Sequence, residues 1–216
     1  MKERPILFSG EMVRAVLDGR KWQTRRVVKP QPHEVVDADA ILAGFLDKVP
    51  IDVGWEYVSR NCPYGRPGDV LWCKETWATR PDLDHLKPRD IPEGSKIYRV
   101  ADGELGLANC DRLRPSIFMR RWMSRITLEV TDVRVERVQD ISVADAIAEG
   151  IDPVPCDHAA MMPGYGCTDC MGTGVAEDPR VEFMHLWGSI NAKRGYPWES
   201  NPWVWAVSFS VVEARQ

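Results

Sequence analysis

A lysine and a threonine lie three positions apart in a strongly cationic stretch, DGRKWQTRRVV, which contains Lys21 and Thr24. A threonine hydroxyl becomes a useful nucleophile only when a neighbouring base removes its proton. A lysine amine can be that base if its pKa is lowered, and the positive charges of the surrounding arginines act in that direction. The stretch is therefore a candidate site that would hold an anionic ligand and attack it.

Whether the two side chains can meet depends on the backbone between them. In an extended segment, residues three apart point to opposite faces, so the pair converges only if the chain still turns between Gly19 and Trp22. Gly19 is suited to end a helix, which favours such a turn. The alternative is a basic strand edge, whose charges discourage pairing with another chain. The sequence leaves both interpretations open.

A second candidate is the carboxylate of Glu75, which follows the apolar run VLWC. Strand ends at a barrel mouth commonly face ligands, so this carboxylate is a candidate substrate contact. The alternative is a half-exposed strand residue paired with Lys74 or an arginine. Trp22 lies in the cationic stretch and Trp77 follows Glu75 closely, which makes them the tryptophans best placed to stack on a base. Packing explains the remaining tryptophans.

The segment CDRLRPSIFMRRWMSR interleaves arginines with Phe118 and Trp122. Guanidinium groups beside aromatic rings suit phosphate contacts and base stacking, as single-stranded nucleic acid requires. The alternative is a loop whose aromatic side chains pack beneath it. The predicted nucleic-acid contacts, taken from this segment and from the cationic stretch, are Arg20, Arg120, Arg121 and Arg125.

A cysteine-rich segment, CDHAAMMPGYGCTDCMGTG, has the spacing of a metal-binding knuckle. Cys167 and Cys170 form a Cys-x-x-Cys pair, and the glycines after them let backbone amides turn toward the sulfurs. Cys156 and His158 lie upstream and would complete a tetrahedral site of three sulfurs and one nitrogen for a structural Zn²⁺. The alternative is free thiols, or a redox pair, in a loop.

The composition indicates a globular protein rather than a generally basic nucleic-acid coat. The 216 residues carry a formal net charge of −4, which still allows a local basic patch on an acidic body. Neither a secretion signal nor an apolar stretch of membrane-spanning length is visible, so we expect a cytoplasmic protein without a membrane partner. Cysteines in that compartment are mainly thiols or metal ligands.

Apolar patterning predicts the elements that position these groups. Helical spacing predicts helices at 11–18, 143–149 and 181–192, whereas apolar runs or alternation predict strands at 70–74, 124–138 and 203–212. A slip in the alternation near Thr131 predicts a bend or bulge in the long strand. Loop-rich insertions are expected at about 30–67, 80–118 and 152–178. Mostly antiparallel strands with long excursions favour one α+β domain over 1–216, built as a small closed barrel with flanking helices.

Four motifs occur in an order that resembles a known family. They are GRK-x-x-T-x-R after a short helix, PGDVLW opening a strand, ITLEVTDV in the long strand, and DAIAEG in the following helix. This order resembles the ASCH domain, a PUA-like β-barrel associated with RNA and modified nucleosides. The opening RPILFSGEMVRAVLDGRKWQTRRVVKPQP and the closing NPWVWAVSF resemble ASCH proteins of phages and prophages, which implies such an origin.

The resemblance implies an activity as well as a fold. Small ASCH proteins hydrolyse N4-acetylcytidine with a lysine, a threonine and a glutamate, which correspond here to Lys21, Thr24 and Glu149. Arg26 completes the motif and would contact the substrate. From residue type alone, Glu149 would be a solvated carboxylate at a helix end. The other expected substrate contacts are Arg25, Trp22, Glu75 and Trp77.

The alternative function is a protein that binds without chemistry. In that alternative, the same pocket reads RNA or modified DNA, and the arginine-rich segments hold the backbone. Lys21, Thr24 and Glu149 favour the enzyme, whereas the arginines suit both functions. In either case the expected partner is a nucleoside or a single-stranded nucleic acid.

We predict about one zinc ion per purified chain, because four protein ligands would close a structural site. Cys167→Ser should lower the zinc content measured by elemental mass spectrometry, since it removes one of the four ligands. Cys110→Ser, which changes a cysteine outside the knuckle, is the matched control and should leave the content unchanged. Protein purified without chelator that contains no zinc would contradict the prediction.

Overall fold

A computed structural model describes residues 1–31, 62–103, 110–153 and 178–214. In this part of the chain, a five-stranded sheet and three α-helices form a mixed α+β structure, which confirms the predicted fold class. The closed barrel stays a prediction. None of the described helices is long and apolar enough to cross a membrane.

The elements follow one another along the chain with short 3-10 turns between several of them. In chain order they are β1 (Glu3–Leu7), α1 (Gly10–Leu17), β2 (Gln23–Val27), β3 (Val70–Lys74), β4 (Trp77–Ala78), β5 (Tyr98–Arg99), β6 (Ile126–Arg137), α2 (Val143–Ala148), α3 (Pro179–Asn191) and β7 (Trp203–Ala214). The large sheet has the strand order β1-β3-β6-β7-β2, and β4 pairs with β5 in a separate ribbon.

The three predicted strands are confirmed as β3, β6 and β7. The apolar run of β3 pairs antiparallel with β6, with Leu71 opposite Leu128, and both side chains are fully buried. β6 is one continuous strand. The predicted slip in its alternation coincides with two consecutive exposed residues, Thr131 and Asp132.

β1 was not predicted, and it pairs parallel with β3, so that Ile6 lies opposite Cys73. The expectation of mostly antiparallel pairing therefore does not hold for this edge of the sheet. Pro5 makes this segment an unfavourable candidate for a strand, because proline has no N–H for the hydrogen bonds between strands. Proline is tolerated mainly on edge strands. β1 is such an edge strand.

Local capping sets the start of each helix. Ser9 caps α1 by accepting from the backbone N–H of Met12 at 3.3 Å, and Gly19 follows the helix with a φ of 73°. Ser142 caps α2 in the same way. α3 starts two residues before its predicted first residue, because Asp178 caps it and Pro179 takes the first helical position, where its missing N–H costs nothing.

The chain forms two compact units. Within the described residues, the first comprises 1–22, 62–103, 110–133 and 207–214, and the second comprises 23–31, 134–153 and 178–206. The prediction of one domain over 1–216 stays a prediction.

Each unit has its own apolar packing. In the first, a cluster forms from Trp77, Ile91, Met119 and Met123. In the second, α2 and α3 pack on the strands through Val138, Ile141, Ala146, Phe183, Trp187 and Val204. These clusters fix the position of the backbone that carries the polar side chains described below.

The predicted insertions are described only in part. Residues 32–61 and 154–177, which make up most of the first and third insertions, lie outside the described residues. In the described part of the second insertion, 80–118, the chain forms 3-10 turns and β5, which pairs with β4. A bridge joins Arg114 to Trp77.

Candidate functional site

Strand β2 buries three consecutive polar side chains, Gln23, Thr24 and Arg25. Strands covered on both faces are normally filled with Val, Ile and Leu, because burying polar groups costs free energy unless each finds a partner. Folding alone would therefore favour apolar residues at these positions. The buried polar run therefore makes β2 a candidate location for a functional site.

Gln23 and Arg25 lie on the same face of β2, since side chains alternate along a strand. Arg25 Nη1 donates to Gln23 Oε1 at 2.6 Å. Arg25 also donates twice to Glu136 Oε1, from Nε at 2.9 Å and from Nη2 at 2.6 Å. Glu136 belongs to β6, so the arginine joins two strands through charge-assisted hydrogen bonds.

The next helix supplies two more carboxylates. Asp145 lies in the first turn of α2 and Glu149 is its C-cap residue, and this spacing of four puts both on one helix face. Arg25 Nη2 lies 3.3 Å from Asp145 Oδ2, and Nη1 lies 3.4 Å from Glu149 Oε1. The Arg25 cluster, as we call it, consists of Gln23, Arg25, Glu136, Asp145 and Glu149.

The charges of the Arg25 cluster are unequal, with three carboxylates around one guanidinium. Arg134 adds a second positive charge at the exposed side, 3.2 Å from Asp145 Oδ1. Burial alone would raise the pKa of Asp145, but the hydrogen bond from Ser142 and the charge of Arg25 outweigh it, so the pKa lies below its usual value. Asp145 therefore stays ionised at neutral pH within the cluster.

Lys21 lies in the first unit, in the turn that follows α1. The backbone N–H groups of Arg20 and Lys21 both donate to the carbonyl of Ala15 at 2.9 Å, so Lys21 precedes the extended strand, as the convergence argument requires. Its ammonium lies 5.6 Å from the ring centroid of Phe8. Lys21 is buried and is therefore not itself an exposed charge of a basic strand edge.

Thr24 and Glu149 belong to the second unit, and both are buried. Lys21, Thr24 and Glu149 are 1%, 2% and 4% exposed, respectively. The interpretation of Glu149 as a solvated carboxylate is therefore wrong. Alternation along β2 points Thr24 to the face opposite Arg25, whereas Arg26 follows on the same face as Thr24 and is partly buried.

Glu75 anchors a second charged cluster, in the first unit. Its two carboxylate oxygens accept from Arg125 Nε and Nη2 at 3.0 Å and 3.1 Å, and Arg99 Nε lies at 3.5 Å. Arg125 Nη1 also lies 2.6 Å from Asp102. Burial raises the pKa of Glu75, and the hydrogen bonds and charges of the arginines offset only part of that effect. Glu75 is thus buried and paired with arginines, not half-exposed.

The four predicted nucleic-acid contacts have different environments. Arg125 is buried in the Glu75 cluster. Arg20 is half-exposed and pairs with Asp18 at 3.1 Å, and Arg121 pairs with Glu3 at 3.0 Å. Arg120 is exposed. The side chains of Arg20 and Arg121 are each 40% exposed, and all four assignments stay predictions.

The two tryptophans chosen for stacking also differ. Trp22 is 49% exposed, whereas Trp77 is completely buried. The guanidinium of Arg114 lies 5.3 Å from the ring centroid of Trp77, which places this ring in a cation–π contact inside the first unit. Of the two, Trp22 is the one with ring surface available to a base.

The predicted zinc ligands Cys156, His158, Cys167 and Cys170 lie outside the described residues. Among the residues that are described, no group of three or more His, Cys, Asp and Glu side chains is arranged to hold a metal ion. The zinc site stays a prediction.

Sequence reasoning missed Gln23, Glu136 and Asp145 as partners of Arg25. Two signals were available. Gln23 and Arg25 are two apart on a strand, and Asp145 and Glu149 are four apart on a helix, so each pair shares a face. Glu136 carries no local signal, because only the sheet brings it near Arg25.

No family model, curated protein or solved structure matches this chain.

Arg25→Met should reduce the free energy of unfolding at pH 7 by about 3 kcal/mol, because it leaves buried carboxylates without their guanidinium. The loss should shrink on acidification. The lowered pKa of Asp145 contributes stability above its unfolded pKa of about 3.9, and this contribution is lost as pH falls through the folded value. Urea unfolding of both proteins at pH 7 and at about pH 2.5, well below the unfolded pKa, measures the difference.

Arg134→Met is the matched control for this prediction, since its guanidinium contacts the same aspartate but its side chain is 45% exposed. It should cost less than about 1 kcal/mol. An equal loss in both variants, or a loss for Arg25→Met that does not change with pH, would show that the cluster is not the electrostatic unit described.

Proposed function

We propose that this chain is an ASCH-like protein with a PUA-like barrel that hydrolyses the amide of an acylated nucleobase or nucleoside, such as N4-acetylcytidine. The observation that carries the proposal is the burial of Lys21, Thr24 and Glu149, the three side chains that the motif assigns to catalysis. Burial of groups able to act as base, nucleophile and acid is typical of a reaction site rather than of a packing core.

The reaction runs through an acyl-threonine. The Thr24 oxygen attacks the acyl carbon while its proton passes to the neutral amine of Lys21. The carbon–nitrogen bond then breaks, and Glu149 gives a proton to the departing amino group of the base. Water hydrolyses the ester and releases the carboxylic acid, which restores Thr24, and Lys21 returns its proton to Glu149.

The neighbouring side chains position the reacting groups. Arg25 holds Glu149 through a contact of 3.4 Å and thereby acts as a positioning residue. Arg26 orients the base or stabilises the oxyanion that forms on the acyl oxygen. Trp22, with its exposed ring, stacks on the base. The zinc knuckle, in this proposal, is structural and takes no part in the reaction.

A second candidate function is a module that binds RNA or modified DNA without chemistry. A specific observation favours it: alternation along β2 points Thr24 away from the face on which Arg25 meets Glu149. If the threonine and the glutamate do not share a substrate, the buried polar groups serve recognition of a base edge instead. Arg20 and Arg120 would then contact phosphates.

Thr24→Ala decides between the two functions. In the enzyme, it should lower the rate of N4-acetylcytidine hydrolysis at least about a thousandfold, because it removes the nucleophile, while nucleoside binding is largely kept. Release of acetate and cytidine, quantified by mass spectrometry, measures the rate. Thr131→Ala, which changes an exposed threonine of β6, should leave the rate unchanged.

The enzyme proposal fails if the wild type and Thr24→Ala are equally inactive on every acylated nucleoside tested. Binding of modified oligonucleotides by both proteins in the same experiment would then establish the binding module.

A further inference from the structure

A cationic cavity lies in the first unit, and its printed lining includes no residue that the proposed chemistry uses. It has a volume of about 460 Å³, and its lining includes Lys2, Arg4, Arg66 and Asp69. Two prolines, Pro63 and Pro67, contribute apolar wall. We call it the Arg4 pocket.

The parallel pairing of β1 and β3 forms this pocket, because it places the start of both strands side by side. Asp69 connects the turn before β3 with the start of β1 through two hydrogen bonds. Its Oδ1 accepts from the backbone N–H of Lys2 at 2.8 Å, and its Oδ2 accepts from the backbone N–H of Arg66 at 3.3 Å. Gly65 allows the tight turn, since its φ is 104° and a Cβ there would lie 2.9 Å from Asp69 Cβ.

Positive charge dominates the Arg4 pocket, with three cationic side chains against one carboxylate. The hydrogen bond from the backbone of Lys2 lowers the pKa of Asp69, and this carboxylate is already engaged by two backbone N–H groups. Arg4 Nη1 donates to the carbonyls of Cys62 and Pro63 at 3.1 Å and 2.9 Å, which fixes the direction of its guanidinium. Within the described residues, neither Lys2 nor Arg4 forms an ion pair with a carboxylate.

These features together define the ligand. The Arg4 guanidinium has a fixed direction and N–H donors besides Nη1, and the Lys2 ammonium lies in the same pocket lining. Together they suit an anion with several acceptor oxygens. Phosphate matches the forked geometry of a guanidinium best. A volume of about 460 Å³ exceeds what a phosphate ion fills and lies within the ordinary range for small-molecule pockets. The proline walls offer apolar surface to the remainder of the ligand.

We infer that the Arg4 pocket binds the phosphate group of a nucleotide, either free or within a single strand. The inference is independent of the proposed hydrolysis, since it uses no residue of that reaction. A nucleoside without phosphate should bind the pocket much more weakly than its monophosphate.

Isothermal titration of the full chain with cytidine 5′-monophosphate, cytidine, inorganic phosphate and a single-stranded oligodeoxythymidine tests the inference. The monophosphate should bind and cytidine should bind at least about tenfold more weakly at this site, because charge-assisted contacts are lost. If the natural ligand is a strand, the oligonucleotide should bind more tightly than the monophosphate, with a steeper decrease in affinity as salt rises. If it is a free nucleotide, the order should reverse.

Lys2→Gln and Arg4→Gln should each weaken binding of the monophosphate about tenfold. Arg4→Gln also removes hydrogen bonds that support the turn, so Lys2→Gln, whose ammonium supports no such contact, keeps the test independent of folding. Arg89→Gln changes an arginine of the same unit that is 68% exposed and lies outside the pocket lining, and it should have no effect. Equal binding of cytidine and its monophosphate, or unchanged affinity in Lys2→Gln, would overturn the inference.

Discussion

The buried guanidinium of Arg25 is the constraint on which the second unit depends. Removing such a charge from water costs several kcal/mol unless acceptors replace its hydration. Here the acceptors come from three elements: Gln23 within β2, Glu136 on β6, and Asp145 with Glu149 at α2. The positions of these elements are therefore coupled, because displacing any one of them leaves a buried charge without its partner. A helix of six residues could not hold Glu149 in place by itself, whereas the capped helix and the arginine together can.

The first unit also contains a buried charged group that needs partners in place of water, but there the central group is a carboxylate and its partners are arginines. This carboxylate belongs to Glu75, which is buried, and both Arg125 and Arg99 contact it. Apolar side chains of similar size would often stabilise a fold as well or better than such buried pairs. We interpret both clusters as scaffolds that fix charged groups in direction and protonation state, which is what recognition or reaction of a polar ligand requires.

Local sequence patterns predicted much of the fold. Caps and apolar spacing predicted the three helices within two residues at their starts, and the apolar runs predicted β3, β6 and β7. β1 was missed, since Pro5 breaks the pattern and only the sheet edge makes that proline acceptable. The candidate site was predictable where it is local, at Lys21, Thr24 and Arg25. Glu136 and Asp102 were not, because sheet pairing and long loops decide which distant carboxylate reaches a buried arginine.

The most direct test of the proposed chemistry is to trap the acyl group on Thr24. Wild-type protein would be mixed with excess N4-acetylcytidine, quenched in acid and digested with trypsin, which cuts after Lys21 and Arg25 and so isolates the tetrapeptide WQTR. The account predicts an acetyl group on the threonine of this peptide at early times, decaying as substrate is exhausted. Hydrolysis that proceeds with this peptide unmodified at every time point would contradict it.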